Sequence, residues 1–298
     1  MKATIRLLLV TAVCIGVPIS IGTADDAKRI TLDEATRDRC FEVLHEGLRT
    51  GEFWPSIHAA EGLTLAGHGE EVIEFLTPKL ATEKDDQKRC GIAREIARAG
   101  DHSTVKVILG ILSNDTPHGH VHAAESLFKL SDIGDGKSIT SAFKQNANLT
   151  LKLMAAAALA RHGDVDAKKL IREFLSHEKL EHAAIAAWIL GQIGDRSDIP
   201  LLKAQLARLT KATPRANFEH ALAILGDDEG LAALQRNLSS DDNLIRTYAA
   251  TFAGDARAIV AADRLKIMLN DPFADARIRA AQSLLVLSKP VKSIPHDK

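Results

Sequence analysis

Residues 183–206 read AAIAAWILGQIGDRSDIPLLKAQL. The stretch divides at Gly194-Asp195, with a run of small residues before the pair and a run of larger ones after it. Glycine reaches the left-handed conformation that ends a helix, which a side chain resists. Aspartate directly after it accepts a backbone N–H and so caps the next helix. Pro200, near the start of the second run, is tolerated in a first helical turn. The pair therefore predicts a corner between two helices.

The same corner recurs at Gly100-Asp101, Gly134-Asp135, Gly163-Asp164, Gly226-Asp227 and Gly254-Asp255. Successive glycines, Gly194 included, are 34, 29, 31, 32 and 28 residues apart. A period near 30 marks stacked supersecondary units rather than one globular core. Aligned without gaps, the six segments place Ile96, Leu130, Leu159, Leu190, Leu222 and Ala250 four positions before the glycine, an apolar column. Each unit pairs an Ala-rich helix with a larger-residue helix such as 167–178, where Leu170/Phe174 and Ile171/Leu175 stand at i,i+4. No segment alternates with period two long enough to argue for a strand.

On these residues the chain resembles the short HEAT repeats also found in phycobilin lyases. The resemblance spans residues 54–288 and implies an all-α solenoid, a right-handed superhelix of about eight antiparallel helix pairs without β-sheet. It specifies fold and says little about activity. Tetratricopeptide and ankyrin patterns do not appear in register. The ends differ from the repeats. Thr31-Leu-Asp-Glu34 reads as a capping box opening an N-terminal capping helix within 25–53. Gly69, in the first repeat, lacks its aspartate. The last unit, 276–287, has no Gly-Asp corner, and 289–298 reads as a mobile tail.

Residues 1–24 read as a cleavable export signal: Lys2 and Arg6, an apolar run from Leu7 to Ile21, and small residues at Gly22-Thr23-Ala24. The run is too short to span a bilayer, which needs about 20 residues, so stable membrane insertion is not expected. Val13 argues against lipidation at Cys14. These features predict a periplasmic or secreted chain. Removing Lys2 and Arg6 leaves 36 basic and 39 acidic residues, a balance that gives no general pull toward nucleic acid. Cys40 and Cys90 are too few for a disulfide framework and read as buried free thiols.

Phosphate loops, nucleophile elbows, His-Glu-x-x-His helices and paired-cysteine zinc patterns are absent. His118, His120 and His122 stand at alternate positions in a loop entering a helix and are the candidate metal ligands. His58-Ala-Ala-Glu61 recurs as His122-Ala-Ala-Glu125. The pattern invites comparison with the di-iron HEAT-repeat hydroxylases, whose His-Glu dyads are adjacent residues in four units. In a stack of helix layers, motifs two repeats apart lie roughly 16–20 Å from each other, beyond ligand bonds of about 2.0–2.2 Å. Repeat ancestry then accounts for the recurrence, with the alanines packed and the His and Glu toward water. His182 shares the His122 column. Glu219-His220 is an isolated dyad, and Trp188 reads as interlayer packing. The basic residues Arg196, Lys203, Arg208 and Lys211, with Arg215, are the candidate partner-binding patch.

The expected function is a non-catalytic scaffold, without cofactor, that binds a protein or peptide of the cell envelope along its concave face. The alternatives are a metal-binding protein or metal-dependent enzyme using residues 118–125, or a lyase-type or nucleic-acid-binding protein by fold analogy.

Overall fold

The computed structural model describes residues 29–290. The expected export signal, and the tail from residue 291, lie outside the described residues. Among the described residues the secondary structure is helical, with no strand. The first helices are α1 Glu34–Arg49, α2 Phe53–Ala66, α3 Gly69–Thr82 and α4 Asp86–Ala99. Next come α5 Val105–Ser113, α6 His120–Leu130, α7 Lys137–Lys144 and α8 Leu149–Arg161. Then follow α9 Val165–Phe174, α10 Leu180–Ile193, α11 Ile199–Leu206 and α12 Ala212–Ile224. The last four are α13 Asp228–Asn237, α14 Asn243–Asp255, α15 Ala262–Met268 and α16 Ala274–Leu287. No helix among them is long and apolar enough to cross a membrane.

The even-numbered helices carry the small residues and pack in sequence, each against the next from α2 to α16. Alanines such as Ala59, Ala93, Ala123, Ala156, Ala187, Ala221 and Ala250 are fully buried between them, which lets neighbouring backbones approach. In the apolar column before the corners, Leu130 alone is only half-buried. The odd-numbered helices lie against the even ones and, α5 and α7 apart, not closely against each other. They form the outer layer. The concave face belongs to the Ala-rich helices, because the tighter arc needs the smaller side chains.

The solenoid turns far enough that its ends meet. Helix α16 packs directly on α2, as successive even helices do, and α1 packs on both. Ile30 N–H donates to the Leu287 carbonyl at 3.1 Å, and Arg279 Nη1 donates to Glu61 Oε2 at 2.7 Å. Helix α1 thus takes the place of an outer helix for the last unit, and the eighth pair is built from both ends of the chain. That explains why the last unit needs no Gly-Asp corner.

At the corners, Gly100, Gly134, Gly163 and Gly226 have positive φ. Asp101, Asp135, Asp164, Asp195 and Asp227 each accept a backbone N–H two or three residues on, at 2.9–3.0 Å. Gly194 is extended (φ −76°), and its Asp195 caps regardless. The sixth corner is different. Helix α14 continues through Gly254-Asp255, and the left-handed residue is Arg257 (φ 51°). Gly254 is needed there for space: a Cβ would stand 2.6 Å from Ser283 Oγ on α16. In the first repeat the left-handed glycine is Gly67 (φ 103°), not Gly69. The residue capping α1 is Asp33, which accepts Thr36 N–H at 2.8 Å, rather than Thr31. Cys40 and Cys90 are buried free thiols, and burial pushes both up to about 12.

Candidate binding site at the centre of the ring

With alanines on the flanks of the even helices, the residues one turn apart on their remaining face point to the centre. On α2 this stripe is Trp54, His58, Glu61 and Leu65; on α6 it is His122, Glu125 and Lys129. The His-Ala-Ala-Glu spacing thus has the expected division of labour: alanines packed, His and Glu turned away. What they face is not outside solvent but the other walls of the ring.

There they pair. Glu61 on α2 receives Arg279 from α16 at 2.7 Å and Arg98 from α4 at 3.0 Å. Arg98 also pairs with Glu95, which in turn holds Arg94 at 2.7 Å. Burial alone would raise the Glu61 carboxyl, but the two guanidiniums outweigh it and hold Glu61 well below the usual range. Lys129 pairs with Glu125 at 2.7 Å and lies 5.6 Å over the Trp188 ring; Lys129 and His122 overcome burial and keep Glu125 ionised. His58 Nδ1 lies 2.7 Å from Asp275 Oδ1. Burial, with Arg279 nearby, lowers the His58 pKa and favours the neutral ring.

Two residues of α14 stand apart from this network. Asp255, carried inward by the extra helical turn, accepts one hydrogen bond, from Gln192 Nε2 of α10 at 2.9 Å. Its carboxyl is pushed up to about 6 because protein encloses it, with Glu61 adding to the effect. The residue is nevertheless exposed, and solvent screening offsets part of the elevation. Tyr248, two helical turns earlier, is 51% exposed; partial enclosure and then the Glu125 carboxylate of α6 raise its hydroxyl pKa, with Arg279 of α16 opposing. The inner face is therefore lined by both charge signs with aromatic rings.

Residues 136–223 match the family model for HEAT repeats. That stretch of the chain is built of HEAT repeats. No curated protein resembles it closely enough to count as a match. Among solved structures, human deoxyhypusine hydroxylase in complex with glycerol is similar at 16% identity and TM-score 0.41, covering 85% of this chain and 97% of that one. The CpcE–CpcF complex of phycocyanin lyase from Nostoc is similar at 15% identity and TM-score 0.43, covering 72% and 94%. Likeness of that degree transfers no activity.

In the HEAT ring the three expected metal ligands turn to three different partners. His118 Nε2 lies 3.2 Å from Asp85, and His120 Nε2 lies 3.1 Å from the Asn114 carbonyl. His122 stacks on Trp54 with centroids 5.2 Å apart and sits 3.6 Å from Glu125. That stacking reaches from α2 to α6. Of the basic patch, Lys203 is held by Asp227 at 2.8 Å and Glu229 at 3.1 Å. Arg196 donates to the Gly226 carbonyl at 3.3 Å. Arg208 and Lys211 are exposed near the α11–α12 corner. His220 is a core histidine, pushed down to about 3 by burial. Trp188 packs its edge on Phe128 of α6 at 5.4 Å, in keeping with a packing role. Asp255, Tyr248 and Arg279 were not singled out from the sequence. Their signal was there, as polar residues at 3.6-residue spacing on Ala-rich helices, but that pattern also describes an ordinary solvated face.

Proposed function

We propose that this protein is an exported, non-catalytic HEAT scaffold that receives a polar peptide segment of a cell-envelope partner at the mouth of its ring. The observation that carries the reading is the state of the central charges. Glu61 is already paired with Arg98 and Arg279, and Glu125 with Lys129, which suits a recognition surface better than a reacting centre. Tyr248 and Asp255 are left exposed among them. Aromatic rings beside a single carboxylate with one hydrogen bond fit a segment carrying a basic or amide side chain. Arg208 and Lys211 offer a second contact outside the ring.

The test is recovery of partners from envelope extracts on the immobilised protein, compared with Tyr248→Ala and Asp255→Asn. A specific partner lost from both variants supports the reading. Recovery of none, under conditions that retain known complexes, defeats it. A partner that binds both variants normally but is lost from Arg208→Glu/Lys211→Glu moves the site to the outer patch.

A further inference from the structure

Away from the ring's centre, and independent of the function proposed for it, three donor side chains converge where α1 meets the α2–α3 corner. His45 comes from the last turns of α1, His68 from the residue before α3, and Glu71 from the first turn of α3. His45 Nε2 lies 3.0 Å from Glu71 Oε2, and His68 Nδ1 lies 4.0 Å from the same oxygen. One donor atom from each falls within 4.8 Å of the others, and this is the set of three or more potential ligands that does so among the described residues. Ligand bonds of about 2.0–2.2 Å place tetrahedral donors about 3.4 Å apart. The observed separations bracket that value, so closing on an ion takes side-chain shifts on the order of an ångström at the surface.

The surroundings prepare the site. Arg49 Nη2 holds the other oxygen of Glu71 at 3.3 Å, which leaves Oε2 facing the two imidazoles. Arg49 also repels a cation, but it is largely exposed and screened by water. Phe41 packs against both rings, with centroids 6.3 Å from His45 and 4.8 Å from His68. It fixes their planes and dries one side, a supporting role that tunes metal sites. The other side is open to water.

We propose that His45, His68 and Glu71 form a binding site for a divalent transition metal. Two imidazoles and a carboxylate suit Zn²⁺, Ni²⁺ or Cu²⁺ rather than Mg²⁺ or Ca²⁺, which take mostly oxygen ligands. The position gives the ion a task. Helix α1 is the outer partner of α16, joined to the rest of the chain by a short turn. An ion shared by α1 and α3 ties that helix to the first repeat and so fastens the closed ring.

The experiment is calorimetric titration of the tag-free protein with Zn²⁺ in a non-chelating buffer, paired with thermal unfolding with and without the metal. We expect one equivalent bound and a raised Tm. His68→Ala should weaken binding by about 100-fold and abolish the Tm shift, and Glu71→Gln should weaken it while leaving the helical circular dichroism intact. Phe41→Leu should cost about tenfold. His118→Ala/His120→Ala should bind as the wild type does. Absence of saturable binding to the wild type, or binding unchanged in both His68→Ala and Glu71→Gln, overturns the proposal. So does binding that disappears only in His118→Ala/His120→Ala.

Discussion

The ring contains two kinds of helix interface, and the contrast between α10–α12 and α16–α2 shows what each must accomplish. Between α10 and α12 the contact is apolar and close: a Cβ on Gly191 would stand 3.1 Å from Ala221 Cα, and Ala186, Ala187 and Ala221 are fully buried. These helices are neighbours in the repeat series, so the chain itself presents them to each other. The α16–α2 interface joins residues 217 and 218 positions apart. Closing a span of that length instead of about 30 residues adds at most about 2 kcal/mol of entropy, so distance is not its main problem. Register is. Alanine surfaces slide past one another at little cost, whereas an arginine seated beside a glutamate does not. We read the His58–Asp275 and Arg279–Glu61 pairs as the devices that fix how the ends meet.

If so, Arg279→Ala should be the most damaging change at the seam, destabilising by about 3–5 kcal/mol because Glu61 loses half its compensation while remaining enclosed. Urea unfolding gives the magnitude, and hydrogen exchange gives the place: protection should fall in α1, α2 and α16 first. Leu222→Ala should cost a comparable 2–5 kcal/mol but loosen α10–α14. Equal loss of protection everywhere in both variants would erase the distinction between the interfaces.

Crowding the seam without touching its charges sharpens the same comparison. A Cβ on Gly47 meets Ile278 Cδ1 at 2.7 Å and Ala59 Cβ at 3.0 Å. Gly47→Val should therefore destabilise by about 1–3 kcal/mol, again with early exchange in α1. At a corner remote from the seam, Asp164→Ala removes a cap and should cost about 1 kcal/mol with no effect on α1.

The smallest effect concerns pH, and its two parts oppose each other. His58 is held below its usual 6.5 and is neutral in the fold. As the pH falls below about 6.5 the unfolded chain takes up that proton first, and the seam weakens. Glu61 and Asp275 are held low too, so their contribution is complete above the ordinary carboxylate range and lost as the pH falls through their folded values. Asp255, pushed up to about 6, behaves oppositely: its ionised form costs stability above pH 6, and the cost fades on acidification toward 3.8. Asp255→Asn should raise the unfolding free energy at pH 7.5 by less than about 1 kcal/mol given its exposure, read as a higher Tm, and the gain should vanish near pH 4.

Much of this was legible in the chain because it is local. Gly-Asp announces a corner, and five of the six aspartates cap as the pairing requires. Runs such as 183–190 announce close-packed helices. The sixth corner misled because Gly254 is there to let α16 approach at Ser283, about thirty residues away, rather than to end a helix, and no local pattern records that contact. The centre was misread for the same reason. His58 and Glu61 have the spacing of a solvated stripe, and only closure of the ring turns open solvent into an enclosed site. His45, His68 and Glu71 were invisible as a set, since packing of α1 beside the α2–α3 corner brings them together.

An open stack of repeats can lengthen or shorten by duplication and deletion, since each new unit finds a neighbour and leaves a usable end. Here α1 completes the unit begun by α16, so an added or missing pair would leave Glu61 and Arg279 out of reach of each other. Growth by whole units, the usual evolutionary freedom of such proteins, is closed to this one unless the seam is remade at the same time.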